Sequence, residues 1–165
     1  LTVYTNGNSA ARERVLALGA DRYLDYKTED YLEHLPKVDY VLDSLGGAEL
    51  HRQMKLLKPG GHIVSLRGMP DGDFARRFGL PRWKQWLLSL VGRKLNKEAA
   101  KYQASYDFLF VESDGAQLAE VAQLIEQQGI RPTVGRVFPF AETNEALALV
   151  ARGGASSKVV ISLEE

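Results

Sequence analysis

The pattern of apolar and polar positions in residues 38–68 predicts a strand, a helix and a second strand. Residues 38–42 are mostly apolar and rich in valine, which is typical of a strand buried on both faces. A glycine turn follows at 43–47, and residues 48–57 carry Leu50, Met54 and Leu57 at helical spacing. Lys-Pro-Gly-Gly at 58–61 ends that helix, and residues 62–66 form the second strand. This unit predicts a right-handed parallel crossover, whose ligands bind beyond the carboxyl ends of the strands.

Strands and helices alternate along most of the remaining chain. The pattern predicts strands at residues 1–5, 22–24 and 106–111, and helices at 10–18, 28–35 and 116–128. Ser113 and Asp114 cap the last of these helices, and Gly129 ends it. The alternation predicts an α/β fold with a doubly wound parallel sheet. Beyond it, residues 136–140 form a short strand that Pro139 restricts to an edge, 143–151 a small helix, and 158–163 a final strand.

Residues 72–101 depart from this alternation. Between residues 76 and 101 there are eight basic residues and one acid, Glu98. An apolar stripe at helical spacing runs along the same segment, formed by Trp83, Trp86, Leu87, Leu90 and Val91. The pattern favours a helix whose stripe packs on the sheet or on a neighbouring subunit. A lid over an apolar substrate and a contact with a membrane surface are the alternatives.

Composition narrows the classes of function. The chain has 165 residues, enough for about one domain, and its 21 basic and 21 acidic residues give a net charge of zero. This balance argues against a general nucleic-acid binder. The absence of cysteine excludes disulfides and thiolate metal sites within the chain. His34, His51 and His62 lack the spacing of metal ligands, and no run reaches the roughly 18 apolar residues of a membrane span. We therefore predict no metal, no membrane span and a cytoplasmic location.

Five segments in a fixed order carry a resemblance to a known family. They are LGADRYLDYKTEDY (18–31), VDYVLDSLGG (38–47), LLKPGGHIVSL (56–66), IRPTVGRVFPF (130–140) and SKVVI (157–161). Together they resemble the zinc-independent medium-chain dehydrogenase/reductases, of the quinone oxidoreductase and enoyl or 2-alkenal reductase type. The basic segment 72–101 is not matched.

The resemblance implies that the chain is a fragment. Family members are about twice this length, with an N-terminal catalytic domain and then a first strand and glycine-rich turn that bind the cofactor pyrophosphate. The chain corresponds to the part that begins at the second strand. The implied strand order is 3-2-1-4-5-6, so residues 1–5 and 38–42 lack their shared partner. Residues 1–129 would be a partial dinucleotide-binding domain, and residues 130–165 the segment that completes the catalytic domain.

The end of the first predicted strand bears on the choice between NAD and NADP. NAD sites usually place an acid there to accept from the ribose 2′-hydroxyl, but here no acid precedes Glu13. Asn8 and Ser9 can donate to a 2′-phosphate, and Arg12 can supply charge. The resemblance places Tyr26 beside the adenosine phosphate, and we predict NADP(H) as the cofactor. The alternative is that Asn8 or Ser9 only caps a helix and Arg12 is a solvated charge.

Other candidate cofactor contacts follow the later strands. The small turn Ser44, Leu45 and Gly46 allows the backbone to approach a ribose or nicotinamide, or is only a tight turn. The resemblance places Leu66 and Arg67 on the nicotinamide side. Phe108, Leu109 and Phe110 end the strand after the basic segment, where they would wall the nicotinamide pocket or form plain core. A contact near Ser156 and Lys158 is implied by the resemblance, although Ser157 replaces the family's glycine.

The implied reaction is hydride transfer from NADPH to a quinone or an α,β-unsaturated carbonyl. No catalytic acid is identifiable, and the fragment alone would be inactive. A non-catalytic module that binds a nucleotide or a partner is one alternative. A methyltransferase using S-adenosylmethionine is another, because residues 38–47 and 56–65 also resemble two strands of that class. The unpaired sheet centre and the Trp83/Trp86 stripe favour a homodimer.

Overall fold

The protein divides into two compact units. A computed structural model describes residues 1–131, 133–153 and 157–163. The first unit is Leu1–Val111 and the second is Glu112–Glu165. The functional division predicted at residues 129 and 130 stays a prediction.

The first unit alternates strands and helices in the predicted order. Its elements are β1 (Tyr4–Gly7), α1 (Arg12–Ala17), β2 (Arg22–Asp25), α2 (Tyr31–His34), β3 (Val38–Asp43), α3 (Gly47–Gln53), β4 (Leu57–Ser65), α4 (Gly72–Arg77), α5 (Arg82–Lys101) and β5 (Ser105–Phe108). Short 3-10 turns precede α1 and follow α3. The first strand starts later than predicted, and β5 ends earlier, so that Leu109 and Phe110 lie beyond it.

The strands of this unit form two parallel sheets. One pairs β1 with β2, and the other has the order β3-β4-β5. Among the described residues β1 and β3 do not pair with each other, which agrees with the strand order implied by the resemblance, in which they are not neighbours. The parallel pairing within both sheets confirms the predicted parallel α/β fold.

The prediction that residues 58–61 form a turn before the second strand is wrong. These residues belong to β4, where they form an irregularity in its pairing with β3. Val38 pairs with Leu57, but Tyr40 already pairs with His62, so residues 58–61 of β4 lie opposite the single residue Asp39 of β3. Gly60 has φ +81°, and its N–H donates to the Gln103 carbonyl at 2.7 Å. The irregularity thus anchors the strand to the loop that precedes β5.

One face of the three-stranded sheet forms the main core. Its buried residues come from α3 and the turn after it, β4, α5 and β5, and are Leu50, Met54, Leu57, Ile63, Leu95, Ala99 and Tyr106. A smaller cluster of Leu24, Tyr31 and Leu56 joins β2 and α2 to the same region. The opposite face leaves Tyr40 75% and Leu42 69% exposed. In this unit the helices α3 and α5 therefore cover one face only.

Helix α5 packs on the sheet through a different face from the one predicted. Its buried residues are Gly92, Leu95 and Ala99. The stripe that begins with Trp83 and Trp86 is exposed, at 63% and 66% for the two indoles. The expectation that this stripe packs on the sheet is wrong, because Leu95 and Ala99, nearer the helix carboxyl end, reach the core instead.

The second unit contains α6 (Gly115–Gln127), β6 (Val134–Pro139), α7 (Thr143–Ala151) and β7 (Lys158–Ser162). Asp114 caps α6 as predicted, accepting the N–H groups of Ala116 and Gln117 at 2.9 and 3.1 Å. The two strands pair in parallel, and Phe138 is buried between them and α7 together with Ala146. Among the described residues, no helix combines the length and apolar composition that a bilayer crossing requires.

Candidate cofactor site

The turn after β3 is organised by the carboxylate of Asp43. This residue ends the strand and is fully buried. Its Oδ1 accepts the N–H of Leu45 at 3.0 Å, and both oxygens accept the N–H of Gly46 at 3.1 Å. Its Oδ2 also accepts the hydroxyl of Ser65 at 2.5 Å. These hydrogen bonds compensate the buried carboxylate for the loss of its hydration. They also hold the turn in one conformation.

The same contacts bring the turn after β4 against the first one. Ser65 Oγ accepts the N–H of Arg67 at 3.2 Å, and the N–H of Leu66 donates to the Asp43 carbonyl at 2.8 Å. Gly46 has φ +69°, and a Cβ there would lie 2.6 Å from the Arg67 carbonyl oxygen. The two backbones therefore approach more closely than any side chain would permit.

The strand β5 ends beside these turns. The N–H of Leu109 donates to the Ser65 carbonyl at 3.0 Å, which places the residues after β5 next to the turn after β4. Close by, the Tyr106 hydroxyl donates to the Met69 carbonyl at 2.9 Å, and burial raises the pKa of Tyr106 to about 12. Three of the predicted contact groups, around Gly46, Arg67 and Leu109, thus lie along one edge of the sheet.

Aromatic rings cluster at the end of β5. The ring centroid of Phe74 lies 5.5 Å from that of Phe108 and 5.9 Å from that of Phe110, and Phe78 lies 5.7 Å from Phe110. All three pairs are edge-to-face, which is a favourable arrangement of aromatic rings. Phe110 remains 53% exposed. The cluster therefore has a packed side toward α4 and an open side that can contact a ligand.

The adenosine end of the predicted site lies at the carboxyl ends of β1 and β2. The N–H of Tyr26 donates to the Gly7 carbonyl at 3.2 Å, so Tyr26 lies next to the end of β1 and is exposed. Asn8 begins the 3-10 turn, but its side chain makes no capping hydrogen bond, and Ser9 is exposed. The capping alternative for the Asn8 side chain is therefore wrong.

Arg12 forms an ion pair although 42% of its side chain is exposed, so it is more than a solvated charge. Its Nη2 lies 2.6 Å from Glu29 Oε2, and its guanidinium lies 5.6 Å from the centre of the Tyr23 ring. Tyr23 in turn donates to the Asn8 carbonyl at 2.7 Å. Glu29 is thus an acid at this end of the sheet that the sequence reasoning missed. Glu29 was missed because it lies far from the first strand in the sequence.

The environment of Glu29 has a consequence for acid stability. Its Oε2 accepts the Asp25 N–H at 2.8 Å, and this hydrogen bond is the main reason why the pKa of Glu29 lies below its ordinary value of 4.5. Burial opposes the shift, and the hydrogen bond and charge of Arg12 reinforce it. A lowered pKa in the folded state means that the contribution to stability is complete above pH 4.5 and is lost as the pH falls through the folded-state pKa.

We therefore expect Glu29→Gln to flatten the fall of the free energy of unfolding on acidification below pH 4.5. Urea denaturation at a series of pH values measures the slope. Glu33→Gln is the matched control, because Glu33 is an exposed carboxylate of the adjacent helix α2. Equal slopes for the Glu29 variant and the unmodified chain would contradict the expectation.

Two further predicted contacts, Ser156 and Lys158, fall in the range of the second unit. Ser156 lies outside the described residues. Lys158 is the exposed first residue of β7 in the second unit and pairs with Val134. The structural roles of Asp43 and Ser65 were also missed by the sequence reasoning. The available signal for Asp43 was its position, since it is an acid at the end of an apolar strand, directly before a glycine turn.

His51 and His62 each lie beside a carboxylate. His51 Nδ1 lies 2.6 Å from Glu98 Oε2, and His62 lies between Ser105 and Asp107, with Nε2 2.9 Å from Asp107 Oδ2. Within the part of the chain that the structure describes, no three His, Asp or Glu residues are grouped as metal ligands would be. The described residues therefore do not fit a zinc site.

Comparison with known proteins identifies the family. A family model described as zinc-binding dehydrogenase matches residues 18–161. The NAD(P)H oxidoreductase RTN4IP1, mitochondrial, of Danio rerio is 35% identical over 94% of this chain, and the human protein is 33% identical over 93%. The human synaptic vesicle membrane protein VAT-1 homolog is 27% identical over 89% of the chain. The chain spans about 40% of the length of these relatives.

Solved structures show the same fold. A quinone oxidoreductase from Coxiella burnetii has a TM-score of 0.73 and 22% identity, covering 99% of this chain and 45% of its own. The CurK enoyl reductase has a TM-score of 0.68 and 20% identity, covering 96% of this chain and 46% of its own. The family model matches more than half of the residues, and the solved structures share the fold. The chain therefore belongs to the zinc-binding dehydrogenase family, within the medium-chain dehydrogenase/reductases, and is related to oxidoreductases that use a nicotinamide cofactor.

Proposed function

We propose that this chain is part of an NADPH-dependent oxidoreductase that reduces a quinone or an α,β-unsaturated carbonyl. The observation that carries the proposal is the joined pair of turns after β3 and β4, where Gly46 lies against the Arg67 backbone. Two closely apposed glycine-containing turns at the carboxyl ends of parallel strands suit a dinucleotide. When bound, the nicotinamide supplies the hydride.

The chain's own residues would bind and orient the cofactor. Ser44, Leu45 and Gly46 would contact the ribose or nicotinamide with their backbones, and Leu66 and Arg67 would border the nicotinamide side. Phe108, Leu109 and Phe110 would wall the pocket, because the exposed part of Phe110 belongs to the aromatic cluster. The contacts predicted for Ser156 and Lys158 stay predictions.

Selectivity for NADPH over NADH is the finer part of the proposal. Asn8 and Ser9 present exposed polar side chains, and Arg12 brings a guanidinium to the same end of the sheet. A 2′-phosphate would compete with Glu29 for that guanidinium, since both are anions. Arg12 would then exchange one anionic partner for another, at a smaller desolvation cost than a newly buried charge.

We expect Arg12→Ala to raise the KM for NADPH about tenfold, because one charge-assisted hydrogen bond is lost, and to leave the KM for NADH unchanged. The measurement is cofactor oxidation by the whole oxidoreductase of which this chain is proposed to be part, with NADPH and NADH compared and with a quinone and an enone as acceptors. Arg14→Ala is the matched control, since Arg14 is exposed on the same helix.

The outcomes separate the candidate functions. Equal losses for both cofactors would contradict the role of Arg12 in phosphate binding. NADPH binding without oxidation by any acceptor would favour a non-catalytic nucleotide-binding module. The family match favours a reductase over the methyltransferase alternative.

The homodimer stays a prediction. So does the cytoplasmic location, and the relatives named as mitochondrial do not support it.

A further inference from the structure

The outward face of α5 has no use in the proposed reaction. Successive residues of a helix are rotated by about 100°, so residues 83, 86, 87, 90 and 91 fall on one side. The buried residues Gly92, Leu95 and Ala99 fall on the opposite side. The helix is therefore held to the core by one face and displays two exposed indoles, Trp83 and Trp86, on the other.

Positive charge surrounds and extends this stripe. Helix α5 carries six basic residues, all exposed: Arg82, Lys84, Arg93, Lys94, Lys97 and Lys101. By the same rotation, Lys94, Lys97 and Lys101 continue the outward face beyond the apolar residues, whereas Arg82 and Lys84 flank its start. The one acid of the helix, Glu98, is paired with His51. The outward face is thus apolar at its amino end and cationic at its carboxyl end.

We propose that this face of α5 docks on an anionic lipid surface. Indole rings suit the boundary between water and acyl chains, because they combine a large apolar area with one N–H donor. Lysine and arginine keep their charges at the headgroups while their stems lie along apolar surface. A helix with Trp and Leu on one side and basic residues around them is the pattern of an interfacial helix.

Charge argues against a second copy of the chain as the occupant. In a two-fold interface the same patch lies on both subunits. Two copies of the α5 face would bring cations against cations, with no unpaired acid on the helix to compensate. An anionic lipid surface supplies the missing negative charge and an apolar layer for Trp83 and Trp86.

The test is flotation of the 165-residue chain with vesicles of phosphatidylcholine alone, or of equal parts phosphatidylcholine and phosphatidylglycerol. We expect retention on the anionic vesicles only, reduced by high salt. The chain contains two tryptophans, both in the stripe, so their fluorescence should shift to shorter wavelength on the anionic vesicles. Trp83→Ser/Trp86→Ser and Lys94→Glu/Lys97→Glu should each weaken binding at least about tenfold.

The matched control is Leu118→Ser/Val121→Ser, which removes two exposed apolar side chains from α6. It should bind vesicles as the unmodified chain does. Equal retention on both kinds of vesicle, or full retention of the tryptophan variant, would overturn the proposal. Sedimentation showing a dimer that the tryptophan pair alone abolishes, without vesicle binding, would instead assign the face to a second copy.

Discussion

Replacing Asp43 with alanine is expected to lower the free energy of unfolding by about 3 kcal/mol or more. The substitution leaves the buried N–H of Gly46 and the buried hydroxyl of Ser65 without their acceptor, together with the part-buried N–H of Leu45. Each unsatisfied buried donor costs about 1–3 kcal/mol, and part of this is recovered where water enters. Urea denaturation followed by circular dichroism measures the change, in the transition of residues 1–111 if the two units unfold separately.

Asp43→Asn is the matched control for this prediction. Asparagine keeps the volume and one acceptor oxygen for the turn, while its amide can donate to Ser65 Oγ. It should lose only about 1 kcal/mol, the difference between charged and neutral hydrogen bonds. If the alanine variant were as stable as the asparagine variant, the carboxylate would not organise the two turns. NADPH affinity should follow the same order, since the turns would bind the cofactor.

Replacing Gly46 with alanine is expected to cost about 3 kcal/mol, for two separate reasons. Gly46 has φ +69° and ψ −163°, a region occupied essentially by glycine alone, where other residues pay about 1–3 kcal/mol. The added Cβ would also lie 2.6 Å from the Arg67 carbonyl oxygen, and that atom belongs to the backbone and cannot rotate away. Thermal and urea unfolding should both report the loss.

Gly47→Ala separates the two causes. Gly47 also has a positive φ, of +55°, but a Cβ there has no neighbour within 4 Å. Only the left-handed conformation is then penalised, by about 1–2 kcal/mol. Equal destabilisation of the Gly46 and Gly47 variants would show that the close approach to Arg67 contributes nothing. NADPH affinity should fall for Gly46→Ala more than for Gly47→Ala if the turn contacts the cofactor as proposed.

The sequence pattern predicted individual elements correctly where they depend on residues that are close together in the chain. Helix α7 has the predicted bounds, Thr143–Ala151, and the Asp114 cap and the positive φ of Gly129 at the end of α6 are confirmed. These features depend on nearest neighbours along the chain: a side chain that accepts N–H groups two and three residues on, and a glycine that tolerates φ > 0. Such contacts are readable from spacing alone.

Features that depend on contacts between distant residues were missed. The Lys-Pro-Gly-Gly segment looked like a turn, but β3 and Gln103 hold it within β4. Glu29 was not placed with Arg12, because 17 residues separate them and two neighbouring strands bring them together. The partner of Asp43, Ser65, lies 22 residues away on the next strand. No periodicity reports which side chains meet across a sheet.

The sequence by itself determined that the chain has a parallel α/β fold, and it predicts a ligand edge at the carboxyl ends of the strands. Apolar runs, helical spacing and glycine turns are local properties, and their alternation admits few topologies. Only the tertiary structure decided which face of α5 enters the core, which acid pairs with Arg12, and that Asp43 joins the turns around Gly46 and Arg67. The physical reason is that burial and hydrogen bonding are settled between elements, by competition among all the surfaces that could pack.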